Sequence, residues 1–292
     1  MTAPALARYF SDAENQGRGY IDPRDPTKAP VPGVTSIIKL VAKDMSQHGA
    51  DMAIKWVIEN WWKFNPGGKS DESAFRQARY RHKDFRDERA EIGTGVHAYI
   101  EDWINGREPD PEFYDVEQQQ MIAQFHEAVF MTGMTFQSTE ATVHGGDWAG
   151  TLDGHCTAYS ERLGRYATGI VDFKTSRGIY QEPMMQLAAL KNAKTMFRQV
   201  DKDTKGAYHV EDRNRGDSWW LVEDAPEVET AFILQLRGDS WHGEVFVPAK
   251  WELIELEHEA LHLKRFNALK TLWYVEKEMK QAGIDLKARL SS

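Results

Sequence analysis

The segment Gly169-Ile-Val-Asp-Phe-Lys-Thr-Ser176 has the composition of a buried β-strand, yet it carries two charged residues. Because side chains alternate across a strand, Asp172 and Lys174 share one face and Val171 and Phe173 share the other. Such a strand lies either at a solvated sheet edge, with its charges in a surface ion pair, or on the floor of an active site. The segments around it help to decide between these two interpretations.

The sequence before this segment predicts two more strands. Residues 134–144, 147–160 and 165–176 alternate or run apolar with β-branched residues, and short Gly-containing stretches separate them. This pattern is typical of an antiparallel meander. In the hairpin of the last two strands, Asp153 and Asp172 can face each other across the sheet.

Helical periodicity dominates much of the remaining chain. Helices are predicted at 32–45 with Thr35 or Ser36 as the N-cap, at 51–64, at 73–91, from Gly93 and Gly95 onward, at 117–133, at 182–197 and at 250–281. Further strands are predicted at 206–211, 218–223, 229–238 and 240–248, and residues 1–33 are predicted to be irregular. This order predicts an α/β (α+β) fold in which helices flank a mixed central sheet. We expect one compact unit, with an N-terminal helical region at 1–90 and a core at 91–292.

Composition narrows the range of functions. The 292 residues are 41% hydrophobic, which is enough for a sizeable core. The single cysteine, Cys156, excludes an internal disulfide and a four-cysteine cluster. Neither a signal-peptide pattern nor a run of about 20 apolar residues is found, so we expect a cytoplasmic protein without a membrane segment.

The net charge neither establishes nor excludes nucleic-acid binding. A formal net charge of -9 argues against a surface that is basic throughout, but it allows a local basic groove. Residues 73–91 mix six Lys and Arg with four Asp and Glu. This segment is either a solvated helix stabilised by i,i+4 ion pairs or a face that contacts phosphates.

The paired carboxylates predict a cation site. Two carboxylates about 4 Å apart repel each other by about 4 kcal/mol at an effective dielectric constant of about 20. A proton, a basic side chain or a hard divalent cation must therefore offset the repulsion. Carboxylate oxygens suit Mg²⁺ or Mn²⁺, and a histidine ligand favours Mn²⁺. Beside such a site, the ammonium of Lys174 can orient water and stabilise charge on a phosphate.

Five motifs in a fixed order extend this picture. They are GTGVH (93–97), TEATV (139–143), GTLDG (150–154), GIVDFKTS (169–176) and QLAAL (186–190). Together they resemble the RecB-like branch of the PD-(D/E)xK nuclease superfamily, which includes the RecB and AddA nuclease domains, CRISPR-associated exonucleases and phage relatives. VPGVTSIIK (31–39) resembles an N-terminal stretch of phage and bacterial members. The resemblance covers most of the chain and implies a restriction-endonuclease-like core.

The resemblance also implies roles for particular residues. Its metal-binding positions fall on His97, Asp153, Asp172 and the backbone carbonyl of Phe173, and its catalytic positions fall on Asp153, Asp172, Lys174, Glu140 and Gln186. The implied cofactor is Mg²⁺ or Mn²⁺, as one or two ions. The chain departs from the family where Leu190 replaces a frequent tyrosine, and its one cysteine implies a member without an iron–sulfur cluster.

The function implied is a metal-dependent DNA exonuclease that hydrolyses phosphodiester bonds at DNA ends, in recombination, repair or phage DNA metabolism. DNA is the expected partner, and a recombinase, a single-strand annealing protein, a helicase and further copies of the chain are candidate protein partners. Two alternatives stay open: a non-cleaving DNA-binding accessory protein with the nuclease fold, and a DNA endonuclease. We expect His155 to be exposed, and the Trp pairs at 61–62 and 219–220 to serve packing rather than base stacking.

Overall fold

The computed structural model describes residues 7–9, 18–41, 46–63, 72–176, 178–211, 217–242 and 245–283. Within these ranges the chain is a mixed α/β protein with six α-helices. The helices are α1 Val34–Ile38, α2 Ser46–Glu59, α3 Glu72–Ile104, α4 Val116–Thr132, α5 Gln181–Lys191 and α6 Glu259–Gln281. None of them combines the length and the apolar character needed to cross a bilayer.

The strands form two five-stranded sheets and two smaller ones within the described ranges. The strands are β1 Ala7–Tyr9, β2 Arg18–Tyr20, β3 Val31–Pro32, β4 Thr135–Thr139, β5 Thr142–His144, β6 Ala149–Thr151, β7 Gly154–Ser160, β8 Arg165–Lys174, β9 Thr195–Val200, β10 Tyr208–Val210, β11 Ser218–Asp224, β12 Thr230–Arg237, β13 Ser240–His242, β14 Val245–Val247 and β15 Lys250–Glu255. The five-stranded sheets have the orders β15-β12-β8-β7-β4 and β10-β11-β9-β5-β6. The three-stranded sheet is β1-β2-β3, and β13 pairs with β14.

Strand β8 lies at the centre of the first sheet. It pairs antiparallel with β7 and parallel with β12, so the sheet is mixed as predicted. Strands β4, β7 and β8 are joined antiparallel, which confirms the core of the predicted meander. Both faces of β8 are covered, as its apolar run suggests.

Helices cover the central sheet on both sides. On one side, Ile170 of β8 packs in a core with Leu187 of α5 and Phe266 of α6. On the other side, Phe173 of β8 packs with Val96 of α3 and Phe125 of α4 and with their neighbours. The protein therefore has three layers, and the alternating side chains of β8 reach both helical layers.

The first two predicted strands are each broken in two, which is a correction. Residues 134–144 form β4 and β5, and residues 147–160 form β6 and β7, so the second sheet receives β5 and β6. The first break falls at Glu140, whose φ of 50° is left-handed and interrupts extended backbone. Glu140 therefore lies in a bend rather than on a strand.

The two helices predicted at 73–91 and from Gly93 onward are one helix, α3. Its backbone is helical across residues 90 and 91, the expected boundary between the N-terminal helical region and the core. The two glycines are explained by close neighbours rather than by a helix start. A Cβ at Gly93 would come within 2.9 Å of Thr175 Oγ1, and one at Gly95 would overlap the side-chain amide of Gln118.

Two other predicted helices were too long. The helix predicted at 182–197 ends at Lys191, and Thr195–Val200 form β9. The helix predicted at 250–281 begins only at Glu259, because Lys250–Glu255 form β15 beside β12. His258, with a left-handed φ of 50°, separates β15 from α6.

The N-terminal region also differs from prediction. Residues 1–33 contain β1, β2 and β3, although they were predicted to be irregular. Helix α1 follows Gly33 without a side-chain cap, so neither Thr35 nor Ser36 is the N-cap. Residues 42–45 of the first predicted helix and 64 of the second lie outside the described residues.

The second predicted helix, α2, presents an unexpected surface. Ile54 and Ile58 are exposed, as are Trp61 and Trp62 shortly after the helix. Packing therefore does not explain the first Trp pair. In the second pair, Trp220 is buried against Phe197, as predicted.

Candidate active site

The two charged residues of β8 form an ion pair in which Asp172 is buried and Lys174 is half-buried. Lys174 Nζ lies 2.6 Å from Asp172 Oδ2, and only 4% of the Asp172 side chain is exposed. Burial raises the pKa of Asp172 to about 6, with Lys174 opposing the rise and Asp153 adding to it. Burial also disfavours the ammonium of Lys174, but attraction to Asp172 and Asp153 outweighs this effect and raises its pKa. A solvated-edge ion pair does not describe this site.

Asp153 lies directly before β7, at the end of the β7–β8 ladder. Gly154 pairs with Val171 in this ladder, so one further step along it places Asp153 opposite Asp172. Asp153 Oδ2 accepts a hydrogen bond of 2.9 Å from the backbone N–H of Phe173. The structure thus brings the two predicted carboxylates together, and it attaches one of them to the strand that carries the other.

His97 approaches from the layer formed by α3 and α4. Its ring contacts the ring of Phe173 edge-on, with centroids 6.1 Å apart. Its Nδ1 lies 3.7 Å from Asp153 Oδ2, and 17% of its side chain is exposed. His97 therefore reaches the end of β7 from the side of the sheet opposite to Asp172.

Gln186 approaches from the other layer, on α5. Its Nε2 donates a long hydrogen bond of 3.4 Å to Asp172 Oδ1. Leu190, one turn later, is buried in the core. The predicted residues His97 and Gln186 thus flank the carboxylate pair from opposite layers.

Glu140 lies near the end of the β7–β8 hairpin, because the backbone of the next residue, Ala141, bonds to the chain there. The carbonyl of Ala141 accepts a 2.9 Å hydrogen bond from the N–H of Leu152, the residue before Asp153. The bend at Glu140 is therefore attached to the chain that carries Asp153. Glu140 is half-buried there.

Two further polar residues lie near the site; Gln235 was not predicted from the sequence, and His155 was predicted to be exposed. Gln235 is buried on β12 opposite Lys174, and its Nε2 donates a 2.6 Å hydrogen bond to the carbonyl of Ser176. A glutamine inside the apolar run of β12 was the signal that could have indicated it. His155 was expected to be exposed, but it is buried, and its Nδ1 lies 2.8 Å from Ser138 Oγ. Burial lowers the pKa of His155.

The donor set has the character of a hard-cation site. Carboxylate oxygens from Asp153 and Asp172, the Phe173 carbonyl and an imidazole are ligands that Mg²⁺ and Mn²⁺ accept. Asp172 Oδ2 is buried and has no well-directed hydrogen bond within the described residues, although the Lys174 ammonium is close. In the same part of the chain, no three His, Cys, Asp or Glu side chains are clustered tightly enough to form a ready-made site. A cation here would depend on the backbone carbonyl and on water as well as on side chains.

A second histidine pair has the spacing of a zinc protease but not its geometry. His258 and His262 enclose a glutamate in the order H-E-x-x-H. The glutamate, Glu259, instead forms a 2.7 Å ion pair with Lys191. Burial and the neighbouring charges of His258 and Arg265 lower the pKa of His262. Glu259 is held by Lys191, and no cluster of three His, Cys, Asp or Glu that could hold a metal is found among the described residues, so this pair carries no metal assignment.

No protein-family model matches the chain, and no curated protein matches it either. The family resemblance therefore rests on the five motifs. The geometry described above adds the contacts between their residues.

Proposed function

We propose that the protein is a divalent-metal-dependent DNA hydrolase of the PD-(D/E)xK type that acts at DNA ends. One observation carries the proposal: the buried Asp172, paired with the half-buried Lys174, lies at the end of a central strand directly opposite Asp153. Motif order and contact geometry agree on the same residues.

A purely structural role explains this pair poorly. Desolvating two charges costs several kcal/mol per ion, and apolar residues of similar volume often stabilise such a position equally well or better. A second carboxylate beside the pair adds repulsion rather than stability. Groups held in this unfavourable way are typical of catalytic sites.

The candidate ligands for the cation are the carboxylates of Asp153 and Asp172, the Phe173 carbonyl and His97. When bound, a divalent cation would supply Lewis-acid stabilisation of charge on the phosphoryl oxygens. In the metal-free protein, the two carboxylates raise the pKa of Lys174, which favours its ammonium form. As an ammonium it can donate hydrogen bonds to the attacking water or to a phosphate oxygen, and it stabilises the negative charge of the transition state.

Gln186 and the Phe173 amide have positioning roles in this scheme. Gln186 restricts the rotation of the Asp172 carboxylate through its contact with Oδ1. The Phe173 N–H does the same for Asp153 through Oδ2. In Asp153 this leaves Oδ1 to face the cation, whereas in Asp172 the second oxygen, Oδ2, lies 2.6 Å from Lys174 Nζ and would be shared between the ammonium and the cation.

The test uses linear and closed circular DNA with Mg²⁺, with Mn²⁺ and with EDTA. We expect the parent to degrade linear DNA with either metal and to leave closed circles intact, with no cleavage in EDTA. Asp172→Asn should abolish cleavage, whereas Lys202→Gln, at an exposed position, should not change it. Cut circles would replace the exonuclease assignment by an endonuclease. Binding without metal-dependent cleavage would leave the accessory DNA-binding protein as the remaining alternative.

A further inference from the structure

Helix α3 carries a stripe of basic side chains on the same face as His97. The stripe consists of Arg76, Arg79, Lys83 and Arg86, all of which are exposed. At about 100° per residue, these four residues lie within a sector of about 80° around the helix axis. Arg79 and His97 are five full turns apart, so they point in the same direction about 27 Å apart along the axis.

Near the start of this helix, the basic side chains are not balanced by ion pairs within the described part of the chain. Residues 73–83 contain four Lys and Arg and no Asp or Glu, in a chain whose net charge is -9. Within the described residues, Arg76, Arg79 and Lys83 form no ion pair, although Lys83 lies 5.0 Å from the ring of Tyr80. Later in the helix the pattern changes, since Arg86 pairs with Asp87 and Arg89 with Glu117.

Residues 73–91 were interpreted either as a solvated helix with ion pairs or as a face that contacts phosphates, and each interpretation fits a different part of the segment. Ion pairing accounts for the part of α3 from Arg86 onward. It does not account for Arg76, Arg79 and Lys83, which repel one another at i,i+3 and i,i+4 spacing. A polyanion lying along this face would remove the repulsion.

The helix surface between the stripe and the candidate active site is shallow. Ala90, Gly93 and Thr94 occupy the face between Asp87 and His97, and all three have short side chains. Because α3 is continuous from Glu72 to Ile104, the stripe and His97 belong to one rigid element. A chain of phosphates on this face would meet only short side chains as far as Gly93, where Thr175 of the segment after β8 approaches the helix.

We propose that this face of α3 is a track that binds the DNA backbone and directs a strand toward His97 and the carboxylate pair. The inference deepens the proposed function and rests on it for the identity of the polyanion. The track binds phosphates through charge, so it does not select a base sequence.

The test measures DNA binding in EDTA, so that no cleavage is needed. Fluorescence anisotropy of a labelled single-stranded and a labelled duplex oligonucleotide would be recorded over a range of salt concentrations. The full-length parent would be compared with Arg76→Gln/Arg79→Gln. The matched control is Lys202→Gln/Lys205→Gln, which removes the same charge from two other exposed positions.

Each lost phosphate contact lowers the slope of log K against log salt by about 0.7 for a single strand and by about 0.9 for a duplex. We expect Arg76→Gln/Arg79→Gln to lower the slope by about twice one of these values, and the form of DNA affected identifies the strand state that the track binds. A slope equal to that of the control, or a parent that binds neither oligonucleotide, overturns the track. A lowered slope in a protein that never cleaves DNA with Mg²⁺ or Mn²⁺ supports the track and removes the hydrolase proposal.

Discussion

The backbone N–H of Phe173 donates a 2.9 Å hydrogen bond to Asp153 Oδ2, which attaches the end of the β7 segment to the strand that carries Asp172 and Lys174. The bond has two consequences that can be separated. It satisfies a backbone donor where the β7–β8 ladder ends, and it fixes a carboxylate beside the candidate cation site.

Asp153→Asn and Asp153→Ala should separate these consequences. Asparagine can still accept from Phe173 but has no charge, so we expect unfolding free energy close to that of the parent and no metal-dependent cleavage. Alanine leaves the donor unsatisfied, so it should also lower stability by about 1–3 kcal/mol. Urea unfolding in EDTA measures the stability of each variant, and DNA degradation measures its metal-dependent cleavage. Addition of Mn²⁺ should raise the Tm of the parent more than that of Asp153→Asn; equal shifts would argue against Asp153 as a ligand.

Lys174→Met should destabilise the protein in a pH-dependent way. Removing one partner of a buried ion pair costs about 3–5 kcal/mol when the other stays charged. The pKa of Asp172 is already raised to about 6 in the folded parent, so its folded state holds a proton more tightly than the unfolded state. Stability therefore falls as pH rises through this window, and the loss in the variant should be larger at pH 8 than at pH 5.

The double variant Asp172→Asn/Lys174→Met is the control for this prediction. It removes both the buried carboxylate and its partner, so its unfolding free energy should change less between pH 5 and pH 8 than that of Lys174→Met. Urea unfolding of the three proteins in EDTA provides the comparison. A loss in Lys174→Met that does not change with pH would mean that Asp172 does not titrate in this range.

Gly95→Ala should destabilise the contact between α3 and α4. Alanine in a helix gains about 1 kcal/mol over glycine, but a Cβ here would overlap the buried Gln118 amide, which also contacts the carbonyl of Ile92. Overpacking costs about 1–3 kcal/mol, so the net effect should be a loss. The matched control is Gly49→Ala in α2, where the new Cβ would meet His82 at an ordinary 3.6 Å. The interpretation fails if both variants have a raised Tm.

Glu255 should contribute to stability at neutral pH and lose this contribution in acid. Burial opposes its charge, but hydrogen bonds from Ser160, Thr230 and the Arg162 backbone outweigh burial and lower the pKa of Glu255. A lowered folded pKa means that the stabilisation is present above the unfolded pKa and disappears as pH falls through the folded pKa. Glu255→Gln should therefore be less stable than the parent at pH 7 and approach it near pH 3. Exposed Glu257→Gln should show no such convergence in thermal unfolding curves across this range.

The parts of the site that could be predicted from sequence depend on local alternation. The period of two in β8 correctly placed Asp172 and Lys174 together, and the short turn after β7 brought Asp153 opposite Asp172. Such relationships are set within one hairpin, so the pattern of a few residues is sufficient. The same holds for α4, which ends at Gly133 with a left-handed φ of 63°.

Other features of the fold and of the site depend on contacts between segments that are distant in sequence. Lys250–Glu255 were predicted as the start of a helix, but they form a strand that pairs with β12, and a short apolar run does not distinguish the two by periodicity alone. Gln235 borders the site only because β12 lies parallel to β8, a neighbour that no local pattern identifies. The glycines of α3 suggested a helix start, but they allow close approach of Thr175 and Gln118, which are remote in sequence.

The continuity of α3 makes the angle between His97 and the basic stripe depend on the number of residues between them. Insertion of one residue after Glu88 would turn the stripe by about 100° relative to His97 and move it by only about 1.5 Å. Insertion of seven residues would lengthen the helix by about 10 Å and change the direction by only about 20°. Insertions of nearly whole turns would therefore keep the stripe and His97 on one face. The number of residues between them is a constraint that does not depend on the identity of any single side chain.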